Sequence, residues 1–326
     1  MTTISNSINQ EIFNYPVLNN RYILLKNIGI GLTSKVYKVL DILNNEIKAA
    51  KIYGKKNISV FKKEEKMLKL VNEFNNDSSI KLYDSGIGIL TMDNHKRQKA
   101  YIILEFGVKG TLYDKIEKTT DGFSEDVCKY IFYEILKAVK SLHEKGICHR
   151  DIKLENILLF GDDLELKLCD FGFSTSFLDT NSQKKKLKKI VGTIYYRAPE
   201  ILENRPYDGE KVDYFCLGAL LFILMTRKFA FEEAKTFDYI EKESQKLYHL
   251  IKIKQIDEFW KKIEKNYNIK ILSPEFKQLF IKMVAYNPSE RPTFEEIMNS
   301  EWMKEINYAN EEYLNQLRDK MKSEMN

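Results

Sequence analysis

The chain lacks the paired cysteines that mark a stapled or zinc-bound fold. Its four cysteines, Cys128, Cys148, Cys169 and Cys216, stand apart with no short paired spacing, which excludes a zinc knuckle and a disulfide framework and makes a reducing compartment the expectation. A long apolar run is missing too. The longest, Leu217 to Met225, is too short to span a bilayer and reads as part of a buried helix. The first twenty residues are polar and rich in Asn and Ser, with no basic stretch leading into an apolar one, so no secretory leader is expected and residues 1–20 read as a flexible segment. Charge of one sign is not massed at one end: a net +5 spread along 326 residues does not announce nucleic acid. Neither nucleic acid nor a membrane is expected as a partner, and nothing in the pattern speaks to oligomeric state. Internal repeats are lacking, and the Asn and Lys clusters are too short to form low-complexity domains. What remains is an ordinary globular composition, 44% apolar beside 30% charged, in a chain long enough for two domains or lobes.

The densest chemistry lies in His149-Arg150-Asp151-Ile152-Lys153-Leu154-Glu155-Asn156, which sets ionisable groups and an amide between apolar runs. A general base, a cation beside it and a metal-binding amide in one short loop suit transfer of a group to a hydroxyl. Before this loop, Arg21 to Ala50 alternates around Gly29 and Gly31 and predicts strand, glycine turn and strand, with another turn at Asn44-Asn45. Lys51 ends a further strand pattern. Ile58 to Val71 has a helical period with Phe61, Leu68 and Val71 on one stripe. Glu64 falls inside that stripe and Glu65 at its edge; an inward carboxylate wants a cation, so Glu64 is the expected partner of Lys51, with Glu65 second. Two strands follow, about Ile80–Tyr83 and Ala100–Leu104, with Met92 to Lys99 between them as a charged loop. Phe123 to Lys145 is a long helix, capped by Ser124 and closed by Gly146, and reads as core alone. After a turn at Gly161-Asp162-Asp163, a strand from Leu164 runs into Asp170-Phe171-Gly172. Residues 304–326 are charged and weakly amphipathic, a surface helix or a frayed tail.

His-Arg-Asp followed five places after the Asp by Asn resembles the catalytic loop of eukaryotic protein kinases. Gly29-Ile30-Gly31-Leu32-Thr33-Ser34-Lys35-Val36 is similar to that family's phosphate-covering loop, with Ser34 in place of its third glycine. Asp170-Phe171-Gly172, nineteen places after Asp151, and the run Gly192 to Glu200 ending in Ala-Pro-Glu arrive in the family's order. The likeness covers about residues 21–303. It implies an α+β bilobal fold, with a small β-rich N-lobe over 21–106 containing one main helix and a larger, mostly helical C-lobe over 107–303.

The activity implied is serine/threonine protein kinase: transfer of the γ-phosphate of Mg-ATP to protein hydroxyls. Lys153, two places after Asp151, and Thr193 follow the serine/threonine branch, and the look is closest to the calcium/calmodulin-dependent group. On the family's pattern Asp151 orients the hydroxyl, Lys153 neutralises the γ-phosphate, Thr193 bonds both, and Lys51 with Glu64 holds the α and β phosphates. Asn156 and Asp170 hold magnesium. The nucleotide contacts are Ile28, Gly29, Gly31, Ser34, Val36, Ala49, Lys51, Leu104 as gatekeeper, Glu105 and Gly107 of the hinge, and Leu158 beneath the adenine. Glu200 pairs with Arg291, and Asp213 anchors the catalytic loop. The different-class alternative is a pseudokinase scaffold, for which Ser34 speaks; a small-molecule kinase is a third reading.

Relatives place a phosphorylated threonine three residues before the glycine matching Gly192, where it pairs with the arginine matching Arg150. Here that residue is Lys189, inside Lys184-Lys185-Lys186-Leu187-Lys188-Lys189. The segment is therefore expected to be ordered by an acidic or regulatory partner or by a phosphate at Thr180 or Ser182, or else to stay mobile. Protein substrates with at most a modest basic preference are expected, since Glu155 is acidic but Thr111 and Ile223 stand where base-selecting relatives carry carboxylates. The expected location is cytoplasmic, with the lysine run also of the kind that directs nuclear import.

Overall fold

The computed structural model describes residues 15–74, 77–93, 95–120, 122–231, 243–267 and 272–325; most of the segment expected to be flexible, residues 1–14, lies outside them. The chain divides into two compact units, Met1–Val108 and Lys109–Asn326.

The first unit is a small antiparallel barrel with one long helix. Its strands are β1 (Val17–Leu18), β2 (Tyr22–Ile30), β3 (Ser34–Asp41), β4 (Glu46–Tyr53), β5 (Leu82–Met92) and β6 (His95–Leu104), in the order β1-β2-β3-β4-β6-β5. Two expectations are corrected here. Val17 and Leu18, placed in the flexible segment, form a strand that pairs with both β2 and β5 and so closes the sheet. Met92 to Lys99 is no loop: His95 pairs with Met92, Lys96 with Thr91 and Arg97 with Leu90, Asn94 lying outside the described residues. Those residues are polar, so their side-chain pattern gives no strand signal, whereas the ladder needs only backbone N–H and C=O groups. Inside the barrel, Leu18, Tyr22, Leu24, Val39, Ala50, Ile52, Tyr101 and Ile103 form one apolar cluster. Asp41, fully buried, accepts from Arg21 Nε and Nη2 at 2.8 Å and from Lys48 Nζ at 2.7 Å, joining β2, β3 and β4 at one end. Helix α1 (Ile58–Glu73) buries Phe61, Glu64, Met67, Leu68 and Val71, the spacing of one helical face.

The second unit is built on the apolar helix Gly209–Thr226. Its elements are α2 (Leu112–Lys118), α3 (Glu125–Glu144), β7 (Ile147–Cys148), β8 (Ile157–Phe160), β9 (Glu165–Leu168), β10 (Thr175–Ser176), α4 (Pro199–Leu202), α5 (Gly209–Thr226), α6 (Glu243–Lys252), α7 (Ile256–Tyr267), α8 (Pro274–Met283), α9 (Phe294–Met298), α10 (Glu301–Lys304) and α11 (Glu311–Met325). Every residue from Val212 to Leu224 is buried, as expected of a helix apolar on all sides. Gly218 lets α8 approach closely: a Cβ there would lie 2.8 Å from Met283 Cβ. Ile223, which stands where base-selecting relatives carry a carboxylate, is 5% exposed in this core helix.

The charged C-terminal stretch docks on α3 as a helix. Leu317, Met321 and Met325 are buried, and Arg318 Nε donates to Tyr130 OH at 3.0 Å. Glu324 accepts from Ser124 N at 2.8 Å and Ser124 Oγ at 2.6 Å, so its carboxylate sits at the N-terminus of α3, where the helix dipole favours negative charge. Among the described residues no helix is long and apolar enough to cross a membrane.

Candidate active site

The register of the barrel collects one group of expected residues on a single sheet face. Gly29 pairs with Val36, Val36 with Lys51 and Lys51 with Ile102, a row crossing four strands. Lys38, Ala49 and Leu104 form the next row on the same face, because residues two apart in a strand share a side. The alternate residues Tyr37, Ala50, Ile52 and Ile103 go to the barrel core. Ile28 is the extra residue where the register shifts between Asn27 and Gly29, and is exposed.

The turn between β2 and β3 is closed by Gly31 N donating to Ser34 O at 2.9 Å. A Cβ at Gly29 or Gly31 would meet no atom closer than 3.6 Å, and neither glycine has a positive φ. The turn itself therefore does not demand glycine, since a Cβ at either position would make only ordinary contacts. Ser34 is buried as the first residue of β3, paired with Tyr53, and has no left-handed backbone to strain.

Lys51 Nζ donates to Glu64 Oε1 at 2.7 Å, and Tyr53 OH donates to Glu64 Oε2 at 2.7 Å. Glu64 is 1% exposed, so loss of the lysine would leave a buried carboxylate without its cation. Glu65 turns elsewhere, accepting from Lys69 Nζ and Ser85 Oγ at 2.8 Å each. Tyr53 is a positioning residue the sequence reading missed; its signal was the strand alternation that puts it on the Lys51 face. Glu105 extends β6, its N–H bonded to Lys81 O at 2.9 Å, and Gly107 follows, half-buried.

In the second unit the loop after β7 is fixed from below by Asp213 of α5. Its Oδ2 accepts from His149 N at 2.8 Å and its Oδ1 from Arg150 N at 2.7 Å. Asp213 Oδ2 also accepts from His143 Nε2 at 2.8 Å. Helix α3 is thus more than core: its last turn helps hold the carboxylate that holds the loop. Arg150 and Asp170 both adopt left-handed φ, 67° and 60°, a conformation costing roughly 1 to 3 kcal/mol for a non-glycine residue and typical of functional loops. Gly192, with φ of 89°, packs so close that a Cβ would stand 2.5 Å from Arg150 O. Only glycine fits there.

Asp151, 3% exposed, is the hub. Its Oδ1 accepts from Thr193 N at 2.7 Å and Thr193 Oγ1 at 2.8 Å, while Lys153 Nζ donates to Thr193 Oγ1 at 2.8 Å. Asn156 Nδ2 donates to Asp151 O at 2.8 Å and to its Oδ2 at 3.1 Å. That use of the amide nitrogen leaves the amide oxygen as the atom Asn156 can offer a cation. Cys169 N donates to Asn156 O at 2.9 Å, setting Asp170 one residue from the Asn156 backbone. Asp170 is exposed, and its Oδ1 accepts from Gly172 N at 3.3 Å. An amide and a carboxylate, both hard oxygen donors, fit magnesium, which takes few protein ligands and completes its shell with water and phosphate. Among the described residues no three His, Cys, Asp or Glu side chains gather as a metal-binding group, so a four-ligand protein site of the zinc kind does not compete there. Leu158 lies in β8, bridged to Thr111.

The expected ion pair of Glu200 with Arg291 forms at 2.6 and 2.7 Å with both side chains sealed from solvent, and Arg291 further donates to Ala285 O and Lys211 O at 2.9 Å each. The thiols of Cys148 and Cys216 are pushed up by burial, which leaves them protonated and unreactive.

Comparison with known proteins agrees with this geometry. The family pattern described as protein kinase domain matches residues 22–303. The SNF-related serine/threonine-protein kinase of Homo sapiens is 31% identical over 291 residues, 87% of this chain and 34% of that protein. Serine/threonine-protein kinase SAPK4 of Oryza sativa subsp. japonica is 35% identical over 202 residues, 62% of this chain and 51% of its own. CBL-interacting serine/threonine-protein kinase 26 of Arabidopsis thaliana is 31% identical over 290 residues, 87% of this chain and 59% of its own. The chain spans about a third to three fifths of the length of these relatives. A loop held on Asp213, a hub of Asp151, Lys153 and Thr193, and a match running through both units lead to one conclusion: the chain belongs to the protein kinase family, in its serine/threonine branch.

Proposed function

We propose that the chain is a catalytically competent kinase that transfers the γ-phosphate of Mg-ATP to serine or threonine hydroxyls of proteins. The observation that carries this is the Asp151 hub, in which a buried carboxylate, a lysine 3.4 Å from it and a threonine bonded to both are held ready by five hydrogen bonds to Asp151 and Thr193. Asp151 orients the attacking hydroxyl, and Lys153 neutralises charge on the transferring phosphoryl group. Lys51 holds the nucleotide phosphates, kept in place by Glu64 and Tyr53. Asn156 and Asp170 would hold the magnesium ion, which would supply neutralisation of the phosphate charge. Because phosphoryl transfer is loose, positioning and charge neutralisation supply most of the rate.

Ser34 has no left-handed backbone to strain and approaches Gly31 no closer than ordinary contact, which supports a working loop over a scaffold. Glu155 is exposed beside the loop and favours a basic residue near the acceptor hydroxyl, but only modestly: Thr111 serves as the N-cap of α2, accepting from Asp114 N at 3.0 Å. We further infer a cytoplasmic location, in keeping with four cysteines that show no paired short spacing. Purified chain with Mg-ATP and a mixed peptide array tests the function. Phosphate transfer to serine and threonine is expected; no transfer, and none gained by Ser34→Gly, would favour a binding scaffold.

A further inference from the structure

Arg150 is 3% exposed, yet the hydrogen bonds of its guanidinium go to neutral acceptors. Nε and Nη2 donate to Phe173 O at 2.9 and 2.5 Å, and Nη1 donates to Tyr207 OH at 2.8 Å. Tyr207 in turn donates to Lys189 O at 2.6 Å. Its hydroxyl is therefore fully used, accepting from a buried cation and donating to the backbone three residues before Gly192. The backbone of Tyr207 is fixed as well, exchanging two 2.8 Å hydrogen bonds with Leu187. Around this bridge three lysines of the run are engaged within the unit. Lys184 pairs with Glu210, Lys186 lies 3.9 Å from Asp208, and Lys185 Nζ donates to Leu178 O at 2.6 Å. Burial raises the Tyr207 phenol above its ordinary range, so it keeps the proton it donates.

The connections run in one direction. Lys189 leads to Gly192, whose missing Cβ lets it lie on Arg150 O, and then to Thr193, whose N–H and hydroxyl are bonded to Asp151. We propose that Tyr207 is a positioning residue for Asp151, its hydroxyl tying Arg150 to the Lys189 backbone so that Thr193 is set on Asp151 without a phosphate on the segment. This rests on the kinase reading above and names how that site is kept ordered. It replaces the expected clamps, an acidic partner or a phosphate at Thr180 or Ser182, with a contact internal to the unit. Replacing the hydroxyl by hydrogen would leave a buried N–H of Arg150 unpaired, a costly state, and would release the Lys189 carbonyl.

Two measurements test it. The first is activity of the phosphatase-treated chain, its unmodified state checked by intact mass. The rate is expected to persist, and Tyr207→Phe is expected to lower kcat about tenfold or more through misplacement of Thr193, with KM for ATP near that of the parent and the unfolding midpoint lowered by the unpaired Arg150 N–H. Loss of rate on phosphatase treatment, or an unchanged kcat in Tyr207→Phe, would overturn the proposal. The second is amide hydrogen exchange across Lys189–Thr193, which needs no activity. Exchange about tenfold faster in Tyr207→Phe than in the parent is expected as the segment loosens, and equal exchange would overturn it. A parent chain with no transferase activity would sink the kinase reading while the exchange comparison still decided the role of Tyr207.

Discussion

The two units hold their chemical groups in different ways. In the β-rich unit Lys51 and Glu64 meet as one ion pair between a strand and a helix, steadied by Tyr53. In the helical unit Asp151 is held by Thr193 and Asn156 directly, and by Asp213, His143 and Gly192 through its neighbours. The first arrangement depends on how α1 is seated on its sheet. The second is over-determined, and that redundancy is what allows two strained left-handed residues, Arg150 and Asp170, to persist.

The strongest break of that comparison is at the hub. Asp151→Asn keeps the shape but not the charge, and should lower kcat by about two to four orders of magnitude, the usual worth of a positioned base. A radiolabel transfer assay reads this. Next is the structural pair of the same unit: Arg291→Ala leaves Glu200 charged and buried, and should cost about 3 to 5 kcal/mol. Both tryptophans, Trp260 and Trp302, lie in this unit, so denaturant unfolding followed by tryptophan fluorescence reports it.

In the β-rich unit, Glu64→Gln should lower kcat/KM about a hundredfold by releasing Lys51, while Glu65→Gln should leave it nearly unchanged. Equal losses would mean that α1 is seated in another register. The smallest effect concerns acid. The Arg21 guanidinium, together with Lys48, holds the Asp41 carboxyl well below its usual range. A depressed folded value means that Asp41 contributes its stability in full above the unfolded value, about 4, and loses it as pH falls below that. Exchange protection of β3 amides should therefore drop between pH 6 and pH 3 in the parent and drop less in Asp41→Asn.

Much of this was legible because the chemistry sits in short runs. His149 to Asn156, Asp170 to Gly172 and Gly192 to Glu200 are each contiguous, and residue type with spacing carries their meaning. The inward carboxylate was legible as well, since helical period alone separates Glu64 from Glu65. The closing strand Val17–Leu18 and the hairpin through His95 to Lys99 were not, because their pairing runs through backbone groups that every residue has. His143 and Tyr207 were invisible for another reason. Each lies in a stretch that reads as plain helix or loop, and matters only because the fold brings it to Asp213 or to Arg150.

The sequence by itself determined which groups this protein can use: a carboxylate with a lysine two places on, an amide five places on, and a family pattern over residues 22–303. Only the tertiary structure decided how those groups are held, because a hydrogen bond between residues far apart in the chain has no trace in local pattern. Tyr207 on Arg150 and Lys189, and His143 on Asp213, exist as contacts only once α5 is buried and the loop is folded over it.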